Sequence, residues 1–257
     1  MKINCVIVTY NRLSLLKECI SALKNQTYKI NKIYIINNNS TDGTSDYLQE
    51  LIADSQFVII NLPQNIGGAG GFSEGIKRVV LDGCDWAWIM DDDTIPMNNA
   101  LEELVKGTTV AKNVGYVCSR VVWTDGMIHK MNIPRFDCEN KQHLPINYYS
   151  NLADVLLIRA ASFVSLLINS KAVREVGLPI KEFFIWGDDT EFTTRIYQHG
   201  YVCLYASQST VIHKTTENYI SQLQNAPVEA LWKFQYGFRN DIFLRRMRKK
   251  NFLLYLL

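Results

Sequence analysis

The 257-residue chain carries 27 Lys and Arg against 25 Asp and Glu, a formal net charge of +2, with 47% hydrophobic and 20% charged residues. That is ordinary globular composition with material for a sizeable core, and so even a charge balance excludes a general polyanion binder, nucleic acid included. Six scattered cysteines (Cys5, Cys19, Cys84, Cys118, Cys138 and Cys203) form no C-x-x-C pair. This excludes a zinc or disulfide framework and predicts reduced, buried thiols in a cytoplasmic protein.

The first element is a strand over Ile3–Thr9, which leaves no room for a secretory signal. Leu15, Leu16, Cys19, Ile20 and Leu23 then recur at helical spacing. A second strand covers Lys32–Ile36, and Ser40-Thr41-Asp42-Gly43 supplies turn and cap chemistry for a helix through Ala53. Phe57–Leu62 is the third strand, Gly71–Leu81 the third helix and Trp86–Met90 the fourth strand. Strands alternating with helices imply a mostly parallel central sheet covered on both faces, an α/β fold.

Beyond about Leu104 the rhythm changes. Gly115–Trp123 and Leu156–Ile168 read as longer strands around an irregular polar stretch from Pro134 to Ser150. A helix follows over Asp188–His199, then two short strands over Val202–Ala206 and Thr210–His213. From Val228 a helical segment carries Leu231, Phe234, Phe238 and Ile242. The expected division is one α/β domain over 1–215 and a C-terminal helical segment over 216–257. No apolar run reaches the ~18–20 residues of a membrane-spanning helix.

The chemistry gathers at strand ends. Asp91-Asp92-Asp93 follows the apolar run Trp86–Met90 and precedes Pro96. Three adjacent carboxylates repel one another, and a divalent cation is the natural reason to place them at the ligand-binding edge of an α/β sheet. Magnesium or manganese suits such hard oxygen donors and also bridges phosphates. Thr9-Tyr10-Asn11-Arg12 ends the first strand, Asn37-Asn38 the second, and Asn65-Ile66-Gly67-Gly68-Ala69-Gly70-Gly71 follows the third. Together they suggest a nucleotide-sized crevice. The glycine run matches neither a dinucleotide fingerprint nor a Walker loop, and by itself is equally a tight strand–helix connection. Asp188-Asp189 is either an acidic site pair or the N-cap of its helix. Arg195 either braces these acids or lies on a solvated helix face.

Taken as a set, Ile7-Val8-Thr9-Tyr10-Asn11-Arg12, Asn38-Asn39-Ser40-Thr41-Asp42-Gly43-Thr44, the Asn65–Phe72 loop, Met90–Asp93 and Trp186-Gly187-Asp188-Asp189-Thr190-Glu191-Phe192 resemble family 2 glycosyltransferases of the GT-A fold. The likeness runs from Ile3 to His213 and is strongest to the galactofuranosyl- and rhamnosyltransferase branch. It implies a nucleotide-sugar-binding site formed by Thr9, Tyr10, Asn11, Arg12, Asn38, Asn65, Gly68, Asp91 and Asp92. It also implies Asp91, Asp93 and His213 as metal ligands, Asp189 as catalytic base, and Asp188, Glu191 and Trp186 beside the acceptor. One departure stands out: many members carry an aspartate in the second-strand turn, where this chain has Asn37 and Asn38.

The expected activity is inverting, Mn2+- or Mg2+-dependent transfer of a sugar to a lipid-linked or oligosaccharide acceptor in a bacterial surface glycan. UDP-galactofuranose is the favoured donor and dTDP-rhamnose the alternative. A sugar nucleotidyltransferase would need a basic glycine loop after the first strand, which is missing. A non-catalytic nucleotide-sugar-binding subunit could dispense with Asp188-Asp189. The C-terminal segment adds Arg239, Arg245, Arg246, Arg248, Lys249 and Lys250 and the apolar end Phe252–Leu257. It reads as a helix for the inner face of a membrane or for a second copy of the chain.

Overall fold

The computed structural model describes residues 1–137, 154–220 and 222–250, the last four as backbone only. Most of the polar stretch from Pro134 to Ser150, Cys138, and the apolar end of the chain lie outside the described residues.

Strands β1 (Ile3–Thr9), β2 (Lys32–Asn37), β3 (Phe57–Asn61) and β4 (Trp86–Asp91) alternate with helices α1 (Leu13–Lys24), α2 (Thr44–Leu51) and α3 (Gly67–Leu81). They pair in parallel in the order β3-β2-β1-β4. All seven residues of β1 are buried, because helices cover both faces of the sheet, and its two polar side chains, Asn4 and Thr9, are hydrogen-bonded near the strand ends to Asn31 and Asp92. Ile3, Cys5 and Ile7 pack with Leu16, Ile20 and Leu23 of α1 on one face. Val6 and Val8 pack with Phe72, Ile76 and Val79 of α3 on the other.

The remaining strands extend the sheet with mixed direction. After the short β5 (Thr94–Pro96) and α4 (Ala100–Thr108) come β6 (Val114–Val122), β7 (Arg135–Phe136), β8 (Val155–Ala160), β9 (Leu166–Asn169) and β10 (Val202–His213). The sheet order continues β4-β9-β6-β10-β8-β7, with β9 antiparallel to both β4 and β6. Helices α5 (Ser170–Val176) and α6 (Asp188–Gln198) pack on the α3 face through Val173, Phe192 and Ile196, and α7 (Leu231–Lys250) closes the described chain. The order of layers and the parallel first half agree with the sequence reading.

Three expectations change. Leu156–Ile168 is two strands, because the chain turns over residues 161–165, with Ser165 at φ 58°, to send β9 between β4 and β6. The buried Ser165 hydroxyl accepts from Trp88 Nε1 at 3.0 Å and meets Ser119 Oγ at 2.6 Å, which gives a polar turn inside the core its hydrogen bonds. Val202–His213 is one strand with a register shift against β6 between Ala206 and Thr210. Helix α3 starts at Gly67, so four of the glycines belong to its first turns. A Cβ on Gly75 would press on Val6 and Ile36, so the bare backbone lets α3 sit close against the sheet.

The five described cysteines are buried, and burial pushes each thiol above its ordinary value. They are core residues, as expected. Among the described residues no helix is long and apolar enough to cross a membrane.

Candidate active site

Strand register assembles the site. β1 and β4 pair so that Val8 stands opposite Asp91, and β1 and β2 so that Thr9 stands opposite Asn37. The three strand ends therefore open on one edge, where α/β sheets bind ligands. β5 runs antiparallel to β10 with His213 opposite Thr94, and the Lys214 amide donates to the Asp93 carbonyl at 2.9 Å. That short strand, unrecognised from the sequence, carries His213 to the acids.

The three aspartates then take different surroundings. Asp92 is buried and held by the Thr9 hydroxyl at 2.8 Å, the Tyr10 amide at 3.3 Å and Arg12 at 3.3 Å. Asp93 receives Arg12 Nη1 on Oδ2, while its buried Oδ1 has no hydrogen-bond donor and faces His213 Nε2 at 3.2 Å. Asp91 is partly buried and borders three adjoining cavities. Burial and the Asp93 charge push its carboxyl up to about 6. Burial takes Asp92 to about 7 against the pull of Arg12. Burial also opposes ionisation of Asp93, yet His213 and Arg12 outweigh it and hold that carboxyl well below the ordinary range. An anion so strongly held, beside two acids reluctant to ionise, describes a site short of positive charge.

The donor set fits a divalent cation. One atom each from Asp91, Asp93 and His213 lie within 4.8 Å of one another. His213 Nδ1 lies 2.8 Å from the Asn132 amide oxygen, whose amide nitrogen donates to Ser162 at 2.9 Å. Nδ1 is thus a protonated nitrogen, and Nε2 is left to face the orphaned Asp93 oxygen, whose charge raises the imidazole against its burial and so favours a proton there when no metal is bound. Two acceptors at that spacing need a proton or a metal ion between them. Carboxylate oxygens with one imidazole suit manganese or magnesium, and an outer-shell oxygen fixing the tautomer is how ligating histidines are oriented.

The second acid pair sits across the cleft. A loop from Phe183 to Gly187 leads into α6, and Phe184 (φ 64°), Trp186 (φ 66°) and Gly187 (φ 88°) all have left-handed backbone. At Phe184, φ 64° and ψ −61° with the Ile185 amide 2.7 Å from the Phe183 carbonyl make a γ-turn of the rare positive-φ kind. At Phe184 and Trp186 such backbone costs roughly 1–3 kcal/mol each and persists only where its surroundings hold it, whereas Gly187 adopts it without a Cβ to strain. Asp189 borders the central cavity and a larger one of about 470 Å³. Burial raises the carboxyls of both Asp188 and Asp189, and for Asp188 the neighbouring Asp189 charge adds to it. The capping alternative is only half met: Gly187 holds the cap position, although Asp189 Oδ1 accepts from the Thr190 amide at 2.5 Å.

Not every predicted residue reaches the cleft. Thr9, Tyr10, Arg12, Asn38, Asn65 and Gly68 line one cavity of about 200 Å³, together with Asp91 and Asp92. Asn38, however, spends its amide on Ile66 N and Gly67 O, both at 2.9 Å, and Asn65 accepts from Gly67 N at 2.8 Å. These asparagines brace the glycine turn, where Gly67 has φ 76° and a Cβ would collide with the Phe184 carbonyl. Asn11 borders none of the three cavities and accepts from Thr41 N at 2.7 Å. Glu191 is turned away: Arg195 Nε and Nη2 bind its two oxygens at 2.8 Å each, and the same guanidinium ties down the Val176 and Leu178 carbonyls. Arg195 is therefore a brace between α6 and the end of α5.

Sequence reasoning missed the wall contributed by α7. Lys233 borders both the nucleotide-side and central cavities and makes no ion pair among the described residues. Burial and Arg12 lower its ammonium below the ordinary value. Gly237, Asn240 and Leu244 line the cavity of about 470 Å³ with Trp186, and Arg135 of β7 faces Asp189 there. The signal was present: Lys233, Gly237, Asn240 and Leu244 fall at i, i+4, i+7 and i+11, one helix face. The apolar ridge Leu231, Phe238 and Ile242 competes with it and is 40–55% exposed.

The fold is that of the GT-A glycosyltransferases. It is shared with GalNAc-T7 bound to UDP, GalNAc and Mn2+ (TM-score 0.67, 16% identity, 84% of this chain and 44% of that one). It is also shared with the mannosyltransferase PcManGT from Pyrobaculum calidifontis in complex with GDP-Man and Mn2+ (0.59, 16%, 86% and 58%). The sequence model of Glycosyl transferase family 2 matches residues 5–177, more than half of the chain, which therefore belongs to that family. Similar curated proteins are the galactofuranosyltransferases GlfT1 of Mycolicibacterium smegmatis, 25% identical over 79% of this chain and 68% of that protein, and of Mycobacterium tuberculosis, 27% over 76% and 64%. The chain spans about two thirds of the length of these relatives.

Proposed function

We propose that this glycosyltransferase moves a sugar, galactofuranose in the leading reading, from a uridine diphosphate donor to a hydroxyl of a surface-glycan acceptor, with inversion. The observation that carries the reading is the meeting of Asp91, Asp93 and His213 with Asp189 facing them across one cleft. The galactofuranosyltransferase relatives support the sugar. The UDP, GDP-Man and Mn2+ bound by the GT-A neighbours support a nucleotide donor and manganese.

In this reading the nucleotide lies over the β1, β2 and α3 ends, with its diphosphate between Arg12, Gly68 and Lys233. Asp91, Asp93 and His213 would hold Mn2+ or Mg2+, which when bound supplies Lewis-acid charge to the leaving diphosphate. Asp92 is the carboxylate towards the ribose or donor sugar, kept in place by Thr9 and Tyr10. The acceptor occupies the larger cavity against the Trp186 ring. Asp189 takes the proton of its hydroxyl as that oxygen bonds to the anomeric carbon, and the carbon–oxygen bond to the diphosphate breaks with its electron pair leaving on the nucleotide. Displacement from the face opposite the leaving group inverts the centre. Lys233 meets the added negative charge without first breaking an ion pair.

dTDP-rhamnose remains the second donor, because Asn37 and Asn38, standing where a base-binding carboxylate is expected, are engaged within the fold. Calorimetry of UDP, dTDP and GDP with and without manganese, followed by turnover with the matching sugar nucleotides, tests the proposal. Manganese-dependent UDP binding and transfer of galactofuranose support it. A dTDP preference reassigns the donor, and no binding of any nucleotide refutes the donor site.

Helix α7 turns Leu231, Phe238 and Ile242 outward with Arg239, Arg245 and Arg246 also exposed. This supports contact with an anionic membrane carrying a lipid-linked acceptor. Co-sedimentation with anionic vesicles, lost on charge reversal of Arg245 and Arg246, checks it. A concentration-dependent dimer without vesicle binding assigns the ridge to a second copy.

A further inference from the structure

The loop that presents the second acid pair is held from outside its own helix. Asn240 of α7, 2% exposed, shares the two hydrogens of its amide nitrogen among three carbonyls of the loop, Phe183 at 3.0 Å, Ile185 at 3.1 Å and Trp186 at 2.7 Å. Its own oxygen accepts from Arg239 Nε at 3.0 Å, and Arg239 Nη2 reaches the carbonyls of Glu182 at 2.7 Å and Phe183 at 2.9 Å. Rings reinforce the grip. Tyr236 stacks on Phe184 at 4.7 Å, and Phe234 meets Trp186 edge-on at 4.8 Å. Gly237 lies so close under Trp186 that a Cβ there would sit 3.0 Å from the indole. On the far side the Ala69 amide of α3 donates to the Phe184 carbonyl at 3.0 Å.

We infer that Asn240 is a positioning residue for transfer: its amide, locked by Arg239, holds the γ-turn at Phe184 and so sets where Trp186 and Asp189 stand relative to the metal-side acids. Backbone of this kind relaxes once its partners are removed. Inside the loop the Ile185 amide reaches the Phe183 carbonyl, whereas the carbonyls of Ile185 and Trp186 are reached by Asn240. A buried asparagine that serves three carbonyls of one turn is poorly explained by helix packing, for which any apolar residue would serve better. The inference rests on the reading of Asp189 as base.

Asn240→Asp replaces the donor by an oxygen at constant shape, and Asn240→Ala removes it. Loss of the clamp lowers kcat for transfer about 100-fold, the cost of misplacing a reacting group by about 1 Å. The donor KM and the manganese-dependent affinity for UDP stay within about threefold of native, because neither the nucleotide strands nor the metal ligands are touched. Amide exchange over Phe184–Asp189 rises at least about tenfold while β1 and β4 stay protected. Unchanged kcat in both variants overturns the inference, as does a loss of UDP affinity that parallels the loss of kcat. Asp189→Asn is measured alongside. If it turns over normally, the base assignment fails independently, and unchanged exchange in the Asn240 variants then still refutes the clamp.

Discussion

His213 Nε2 lies 3.2 Å from Asp93 Oδ1, a buried carboxylate oxygen with no hydrogen-bond donor, while His213 Nδ1 is occupied by the Asn132 amide oxygen at 2.8 Å. A histidine with one nitrogen anchored and the other turned on an unsatisfied anion is prepared for a cation.

Asn132 therefore matters to metal binding without touching the metal. Asn132→Ala frees the imidazole to rotate and change tautomer, and lowers manganese affinity by about 10–100-fold. His213→Ala abolishes manganese-dependent UDP binding. Calorimetry with manganese checks both, and equal affinity in Asn132→Ala would refute the orienting role.

Lys233 stands in the cleft without a carboxylate partner among the described residues. Lys233→Met removes a partly desolvated cation, so the free protein is at least as stable as native. Its affinity for UDP falls by about 1.5–3 kcal/mol, the worth of a hydrogen bond to a charged group, or about 10–100-fold. Uridine binding is unchanged. Parallel losses for UDP and uridine would show that the helix had moved instead.

Asp189 is the assigned base, and burial raises its carboxyl above the ordinary range. Only the ionised form takes a proton, so transfer is fully active above that raised pKa and is lost as pH falls through it. The acid limb of kcat consequently lies above the ordinary carboxylate value near 4. Asp189→Asn lowers kcat about 10²–10⁴-fold and leaves manganese–UDP affinity intact. A normal rate in that variant would exclude the assignment.

Asp188 carries a stability cost. Burial first, then the Asp189 charge, lifts its folded-state carboxyl well above the unfolded value. The folded state binds the proton more tightly, so this contribution is favourable below the unfolded value and is lost as pH rises towards the folded one. Asp188→Asn should raise Tm at pH 8 more than at pH 4 while impairing transfer. Equal shifts at both pH values would show that the carboxyl ionises freely in the folded protein.

Much of this was legible locally. A buried strand running into Asp91-Asp92-Asp93 announces itself, because apolar periodicity and a charge cluster are properties of adjacent residues. The glycine turn and the Asp188-Asp189 helix start were visible for the same reason. The roles of Asn38, Asn65 and Glu191 were less so: asparagine and glutamate look alike whether they face a ligand or satisfy a neighbouring backbone or arginine. The start of α3 and the split of β8 from β9 were missed where tertiary packing, not propensity, sets the boundary.

The sequence by itself determined the parallel β1–β4 layer, the acids at its carboxyl edge and membership of glycosyl transferase family 2, since each is written in short-range pattern and motif. Only the tertiary structure decided that β5 would carry His213 to Asp93, and that α7 would place Lys233 and Asn240 in the wall of the cleft. On α7 the apolar ridge Leu231, Phe238 and Ile242 advertises one face for burial, yet the face that packs holds Lys233, Gly237 and Asn240. The exposed carbonyls of a strained turn need donors, a rigid indole needs the space left by a glycine, and these demands, set far away in the chain, outweigh local hydrophobicity.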